Sequence, residues 1–580
     1  MTDFDTIRVR VGRKPITIVE LVLDSCANVY GSAPCTAAVG TTGTQKCFNT
    51  YKSCQDTANY SKTTKTYKFT EKSSFLPIGE NVFPCISSID IAPTQIDPKG
   101  FSVSASVTIT LEDFPHHDRG VDPYVSTRSY TPNDQGTFFG KLRARNIYME
   151  NRVLKVSTGY IEDDRVIYTQ SRTYFIDRPI EISANGTVKI VGKDALRFAD
   201  AEKSKAPAQS QGVLSAALLA AATTLSLLPT GAGADYPAAG TLRIDDEVLT
   251  YSSKSGDTLN GVTRGTDGTT ADDHDISSKV QLCLRYTAQT IPYIINDLLV
   301  NYAGLDASYI TIADWNTENG LWLSTFTSTV LLTQPEGVKD LLEEIIESTG
   351  CILWWDDIAA QVRFKVIAPP LPSSPPLMID ETSNILAGSF VVSDLQKERI
   401  SKVITYYSLN APTSDLKAEN FKSVSIQVDV TGESVNAYGT AADRVILNRW
   451  VPTDQLAAEI GARLLGRFKD TPRQISFQLD AKDALNTGDL VDVASRMIQD
   501  ETGAPITIRY LVTECREMVV GSIYAFKAIQ VQSTTGSAAL IAPDATPDWT
   551  AASDTERRSY MFISNDAGLM SDLAQGPHIV

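Results

Sequence analysis

Apolar and polar residues alternate over much of this chain, and the alternation predicts strands. In Ser102–Leu111 (SVSASVTITL), Val103, Ala105, Val107, Ile109 and Leu111 fall on one face and Ser and Thr on the other, as in a half-buried antiparallel strand. Residues 6–23 are rich in β-branched side chains around a Gly-Arg-Lys-Pro turn. Residues 64–70 (TKTYKFT), 142–149 (LRARNIYM), 151–161 and 165–176 read as further strands, and Asn185-Gly186 as a hairpin turn. The first 200 residues are therefore predicted to be mostly β.

A polar linker is predicted at 201–212. Behind it, 213–286 carries short apolar runs and Gly-rich turns (TLRIDDEVLTYSS, DTLNGVTRGTDGTT), the pattern of a small inserted β domain. From 287 the period changes. Glu336–Ser348 places Val338, Leu341, Leu342, Ile345 and Ile346 on one helical face, with Gly350 as the stop. CILWWDD and QVRFKVI follow as a strand pair whose Trp354 and Trp355 point to opposite faces, and the Pro-rich 368–377 reads as a bridge. Thr453 is a candidate cap for a helix over 454–469 with Leu456, Ile460 and Leu464 inside, set among strands such as RISKVITYYSL, SVSIQVDV and YAFKAIQV. The predicted class is mainly β with α+β domains. The divisions are 1–200 with a cysteine-rich loop at 24–60, 213–286, 287–370, 378–535 and a tail at 536–580.

Composition narrows the function classes. The 580 residues carry 52 Lys and Arg against 69 Asp and Glu, a net charge of −17, which argues against a protein that grips nucleic-acid phosphates. No apolar run reaches 18 residues. The nearest, Val213–Leu228, is broken by Ser and Thr and followed by Pro229, so no stable membrane insertion is expected. No phosphate-binding glycine loop, HExxH or GxSxG motif occurs, and the many acidic pairs are no more than 69 acidic residues yield by chance. The chain is not expected to be an enzyme.

The candidate chemistry sits in Asp24–Tyr60. Cys26, Cys35, Cys47 and Cys54 are half of the eight cysteines, spaced C-x8-C-x11-C-x6-C in a filler of Gly, Ser, Thr, Ala and Asn too poor in large apolar groups to bury itself. Four such thiols can form two disulfides or hold one metal centre. The first fifteen residues lack the apolar run of a secretory signal, so reduced thiols and a metal are expected. Zinc sites usually show tight C-x2-4-C knuckles, absent here, while an iron–sulfur cluster accepts wider spacing; spacing alone leaves both metals open. Cys85 reads as a small buried hydrophobe. Glu112, Asp113, His116, His117 and Asp118 could suggest a divalent site, but adjacent histidines on a strand diverge, and a structural turn is the expectation. Asp245, Asp246, Glu247, Asp272, Asp273 and Asp275 lack a calcium-loop pattern and read as a solvated face.

The run KCFNTYKSCQDTANY (46–60), following a paired C-x8-C, resembles the cysteine loop of tail-tip proteins of long, non-contractile-tailed bacteriophages, the lambda-like minor tail proteins and the related parts of gene-transfer agents. The turn LNTGDLVDV (485–493) and the C-terminal MFISNDAGLMSDLAQGPHIV (561–580) resemble the same hub proteins. The resemblance implies a [4Fe–4S] cluster on Cys26, Cys35, Cys47 and Cys54, with zinc as the alternative. It further implies a structural virion protein: a homotrimeric hub that closes the tail tube, assembled in the host cytoplasm. Such a hub contacts the distal tail protein, the tape-measure protein and receptor-binding tail proteins, and opens for DNA ejection, meeting DNA only in transit. The alternative is a receptor- or carbohydrate-binding tail protein that reads a cell-surface glycan through 213–286. A cytosolic iron–sulfur enzyme is a third reading, for which the sequence offers no substrate pocket.

Overall fold

The computed structural model describes residues 7, 10, 12–72, 81–97, 102, 104–163, 165–200, 202–368, 376–431, 433, 442–480, 485–519, 522–531 and 553. Val103, most of the Pro-rich bridge and the 561–580 motif lie outside them. The chain divides into two units, Met1–Val531 and Gln532–Val580, and the first holds everything that follows.

The amino-terminal region is a closed β barrel. Its strands are β1 (Pro15–Cys26), β2 (Lys62–Glu71), β3 (Val82–Ala92), β4 (Ser106–Glu112), β5 (Val153–Glu162), β6 (Arg165–Ile176), β7 (Glu181–Ile182) and β8 (Thr187–Lys193). They run β4-β3-β2-β1-β5-β6-β8, and β8 closes the ring by pairing with β4 from Ser106↔Lys193 to Glu112↔Thr187. Only β2 and β3 pair in parallel. Closure explains why Ala105, Val107, Ile109 and Leu111 are fully buried: the alternation predicted at 102–111 faces a barrel interior. Inside with them are Val19, Leu21 and Leu23 of β1, and Cys85, which is a core thiol. Gly186 takes up φ +81° in the predicted hairpin between β7 and β8.

One expectation here is corrected. Residues 142–149 are not a strand; Phe138–Arg145 is a helix that plugs the barrel mouth. Its Phe138 meets Phe83 at 4.8 Å, Phe114 at 5.2 Å and Phe69 at 6.0 Å between ring centroids. The apolar triplet Phe138, Phe139 and Leu142 has helical spacing, and burying it outweighs the strand-like look of NIYM.

Residues 201–212 are not a free linker either. Lys205–Ala206 pairs with Glu336–Gly337, and Ser204, Ala206 and Ser210 are buried. The following stretch, Val213–Leu228, holds two short strands and no helix. It opens a module of two small sheets around Leu214, Leu225, Leu227, Leu242, Leu249 and Leu259. Among the described residues no helix is long and apolar enough to cross a membrane.

The remaining cores cut across the segments that composition suggested. Helices Ile291–Asp297, Ile312–Trp322, Val338–Thr349 and Asp454–Phe468 share one core with strands Cys351–Asp356, Gln361–Val366 and Lys402–Leu409. Gly350 ends the third helix at φ +66°, as its position predicted. Thr453 sits at the cap position of the fourth without a side-chain cap bond. Trp355 enters this core and Trp354 a different one, so the pair does diverge. Strands Leu377–Asp380, Val391–Asp394, Arg473–Asp480, Leu490–Gln499, Pro505–Val519 and Ile523–Gln530 make a separate six-stranded sheet.

A buried polar joint fixes the barrel to the central core. Arg172 of β6 donates from Nη1 to both carboxylate oxygens of Asp357 at 2.9 Å, and Tyr174 Oη donates to Oδ2 at 3.0 Å. Trp355 Nε1 donates to Thr173 O at 2.9 Å beside them. Removing one partner of such a pair leaves an uncompensated buried charge. Asp357→Asn should therefore destabilise the protein by about 3–5 kcal/mol in denaturant unfolding; a loss below about 1 kcal/mol would show the joint to be peripheral.

Candidate metal centre

Strand β1 ends at Cys26 and β2 begins at Lys62, which pairs with it, so the 35 residues between them leave and re-enter the barrel at one point. A loop this poor in large apolar groups is held by polar bonds instead. Asn49, at φ +54°, accepts the Cys26 N–H on its carbonyl at 2.8 Å. Asp56 Oδ2 accepts from Thr36 N at 2.7 Å and Thr36 Oγ1 at 2.9 Å, tying the segment after Cys35 to the segment after Cys54. Gln55 Oε1 accepts from Tyr30 Oη and Thr42 Oγ1, both at 2.8 Å, and its Nε2 donates to Gln45 O at 2.7 Å.

These bonds bring all four cysteines of the loop onto one small pocket, completed by Asn28, Tyr30, Asn49 and Gln55. All eight cysteines are free thiols, so the two-disulfide arrangement is not formed. Among the described residues no three His, Cys, Asp or Glu side chains stand close enough to share a single metal ion. The four cysteines line a common pocket.

Electrostatics couples them. Burial raises the Cys47 thiol pKa; a hydrogen bond at Asn49 opposes this, and the neighbouring Cys54, Cys35 and Cys26 raise it further. Burial likewise raises Cys54, against a hydrogen bond at Asp56 and with Cys26, Cys35 and the Asp56 carboxylate adding to the rise. Four thiolates in this space repel one another, and a cation is what makes them mutually favourable.

The segment His116–Arg128 supports the loop from the barrel side. His116 Nδ1 accepts the Asp118 N–H at 3.0 Å, and Asp118, at φ +61°, turns the chain so that its carboxylate meets Lys141 Nζ at 2.8 Å and Arg145 Nη2 at 2.6 Å. Asp118 is buried, which opposes ionisation, yet its two cations bring its pKa below the ordinary carboxylate value. Asp122, fully buried, holds Arg128, whose Nη2 donates to Cys47 O at 2.9 Å. The structural turn expected from LEDFPHHDRGVDPY is therefore present, and it reaches the cysteines. Arg128, Arg145 and Asp122 were not legible as site residues, because only contacts across about 80 residues give them that place.

The acidic residues of the inserted module do not gather for a cation. Glu247 accepts from Arg264 Nε at 2.8 Å and Nη2 at 2.6 Å, Gly265 N at 2.8 Å and Asp272 N at 3.2 Å, and shares a hydrogen bond with His274 Nε2 at 2.9 Å. Burial opposes its charge, but these donors prevail and lower its pKa to about 2. Its carboxylate is already filled. Asp246 is exposed, as a solvated face requires, but Glu247 is buried against Arg264 and is not part of such a face. A cleft of about 430 Å³ lies where this module meets strand Thr327–Leu332 and the loop after Leu409. Its arginines are paired, Arg285 with Asp267 and Arg449 with Glu336.

No family model matches the chain, and no curated protein matches it. Solved structures similar to it include the 43 kDa tail protein of prophage MuSo2 from Shewanella oneidensis, with 11% identity over 77% of this chain and 97% of that one and a TM-score of 0.34. Another is prophage tail protein gp18 from Listeria monocytogenes, with 9% identity over 77% and 96% and a TM-score of 0.32. A third is a chain of the native gene transfer agent virion, with 12% identity over 58% and 92% and a TM-score of 0.29. Scores this low establish neither a common fold nor a common role.

The raised thiols set a pH dependence for the metal-free protein. A group whose folded pKa lies above its unfolded value stabilises the fold below the ordinary thiol pKa of 9.0 and loses that contribution as pH rises through the folded value. Metal-free loop should therefore loosen above pH 9, read as faster alkylation of Cys47 and Cys54 than thiolate formation alone produces. Rates that follow simple titration at 9.0 would show that neither burial nor the neighbouring sulfurs raise Cys47 and Cys54.

Proposed function

We propose that this chain is a structural protein of a bacteriophage tail, the hub of the tail tip, whose cysteine loop is cross-linked by a [4Fe–4S] cluster on Cys26, Cys35, Cys47 and Cys54. The observation that carries this reading is the convergence of four free cysteines on one pocket inside a loop that has no apolar core of its own. That loop also carries the residues that resemble the tail-tip family. The loop has no tight C-x2-4-C knuckle, and its resemblance to the tail-tip family favours an iron–sulfur cluster over zinc. When bound, such a cluster would supply metal–sulfur bonds between four separate points of the loop. Four cysteine ligands leave no iron open to a substrate, so the role is structural.

In this reading the protein forms a trimer, closes the tube, binds the distal tail and tape-measure proteins, and lets DNA pass through a passage kept non-adhesive by its net charge of −17. The inserted module has a core of its own, and its two ends lie together, Val280 N donating to Gly212 O at 3.0 Å. That compactness supports its reading as an inserted decoration. The phage-tail neighbours point in the same direction but add no weight at their scores.

Removing the chain from a phage that encodes it tests the assignment. The hub reading predicts particles without finished tails by electron microscopy, restored by the wild-type chain and not by Cys47→Ser. Complete tails that fail to adsorb would overturn it in favour of the receptor-binding alternative.

A further inference from the structure

Among the described residues, Cys47 alone of the four cysteines is gripped by a side chain from outside the loop. Cys26 ends β1, while Cys35 and Cys54 are held by turns within the loop, their N–H groups donating to Ser32 O at 2.9 Å and Tyr51 O at 3.2 Å. At Cys47 the grip comes from Arg128. Its Nη1 donates to Lys46 O at 2.5 Å and its Nη2 to Cys47 O at 2.9 Å, so one guanidinium fixes the peptide planes on both sides of Cys47 Cα. The guanidinium cannot drift, because Asp122 holds Nε at 2.7 Å and Nη2 at 3.0 Å, and both side chains are buried to 1% exposure or less.

The next residue completes the device. Two guanidinium groups lie over the Phe48 ring, with Arg128 Cζ at 3.9 Å and Arg145 Cζ at 4.2 Å from its centroid. Arg145 projects from the helix that plugs the barrel and is fixed in turn by Asp118 at 2.6 Å. Each guanidinium faces the negative π surface of the ring, and neither can leave without breaking a buried ion pair.

We propose that Arg128 and Arg145 form a paired cation–π clamp on Phe48 that positions Cys47 as a ligand and ties the metal centre to the barrel. The inference rests on the metal-centre reading above. Arg128, Phe48 and Arg145 are positioning residues: they act on the centre through the Cys47 backbone. Lysine cannot replace Arg128, since one ammonium cannot span two carbonyls and a carboxylate. At position 48 what counts is the aromatic face, so Trp keeps the function and Leu loses it although Leu remains apolar.

The test compares wild type with Arg128→Lys, Phe48→Leu and Phe48→Trp, all purified anaerobically as the full chain. Two readouts are used: the rate of metal release to a chelator, followed by the visible spectrum, and the alkylation of each cysteine mapped by mass spectrometry. Release should be roughly 10–100-fold faster in Arg128→Lys and Phe48→Leu and near wild type in Phe48→Trp. Cys47 should become reactive ahead of Cys26. Should Arg128→Lys fail to fold, the Phe48 pair decides alone. Wild-type release rates in the Lys and Leu variants would overturn the clamp and leave the metal centre standing. A wild-type protein containing neither iron nor zinc would overturn the metal-centre reading and the clamp with it.

Discussion

The arrangement at the amino-terminal end depends on one constraint: a 35-residue loop must hold a fixed shape without a hydrophobic core. Its filler is Gly, Ser, Thr, Ala and Asn, so ordering the backbone costs entropy that burial inside the loop does not offset. Part of the offset comes from hydrogen bonds such as those of the Asn49 carbonyl and the Asp56 and Gln55 side chains, each contributing about 0.5–1.5 kcal/mol net. Those bonds bring four sulfurs together, and the sulfurs repel once ionised. In the proposed reading, a bound metal centre would turn that repulsion into a cross-link of the loop.

The barrel answers the same constraint from the other side. Its closure by β4 and β8 gives a rigid mouth, and the Phe138 helix seals it. The sealing helix carries Lys141 and Arg145 to Asp118, and the turn that begins at Asp118 carries Asp122 and Arg128 to the loop. Apolar packing in the barrel thereby fixes charged groups outside it. The Arg172–Asp357 joint passes the same rigidity on to the central core.

Local pattern made much of this legible. The alternation from Ala105 to Leu111, the apolar face of Val338–Thr349 with its Gly350 stop, and the spacing of the four cysteines all depend on neighbours close in sequence. What escaped depends on distant ones. Barrel closure pairs Ser106 with Lys193, and nothing in either strand names its partner. Residues 142–149 look like a strand because Asn146, Ile147 and Tyr148 follow a short helix whose apolar triplet lies just upstream. The segment 201–212 is polar, yet pairing with Glu336–Gly337 ties it in. Arg128 and Arg145 have no motif at all; their role appears only once the barrel places them against Phe48.

The most direct test of the account is a Mössbauer spectrum of protein produced with iron-57 and kept anaerobic, taken with iron and sulfide analysis. The account predicts about four irons and four sulfides per chain, the spectrum of a single cubane cluster, and loss of the signal when Cys26, Cys35, Cys47 and Cys54 are replaced together by Ser. Zinc at about one ion per chain, or an iron-free protein whose four thiols react as independent groups, would contradict it.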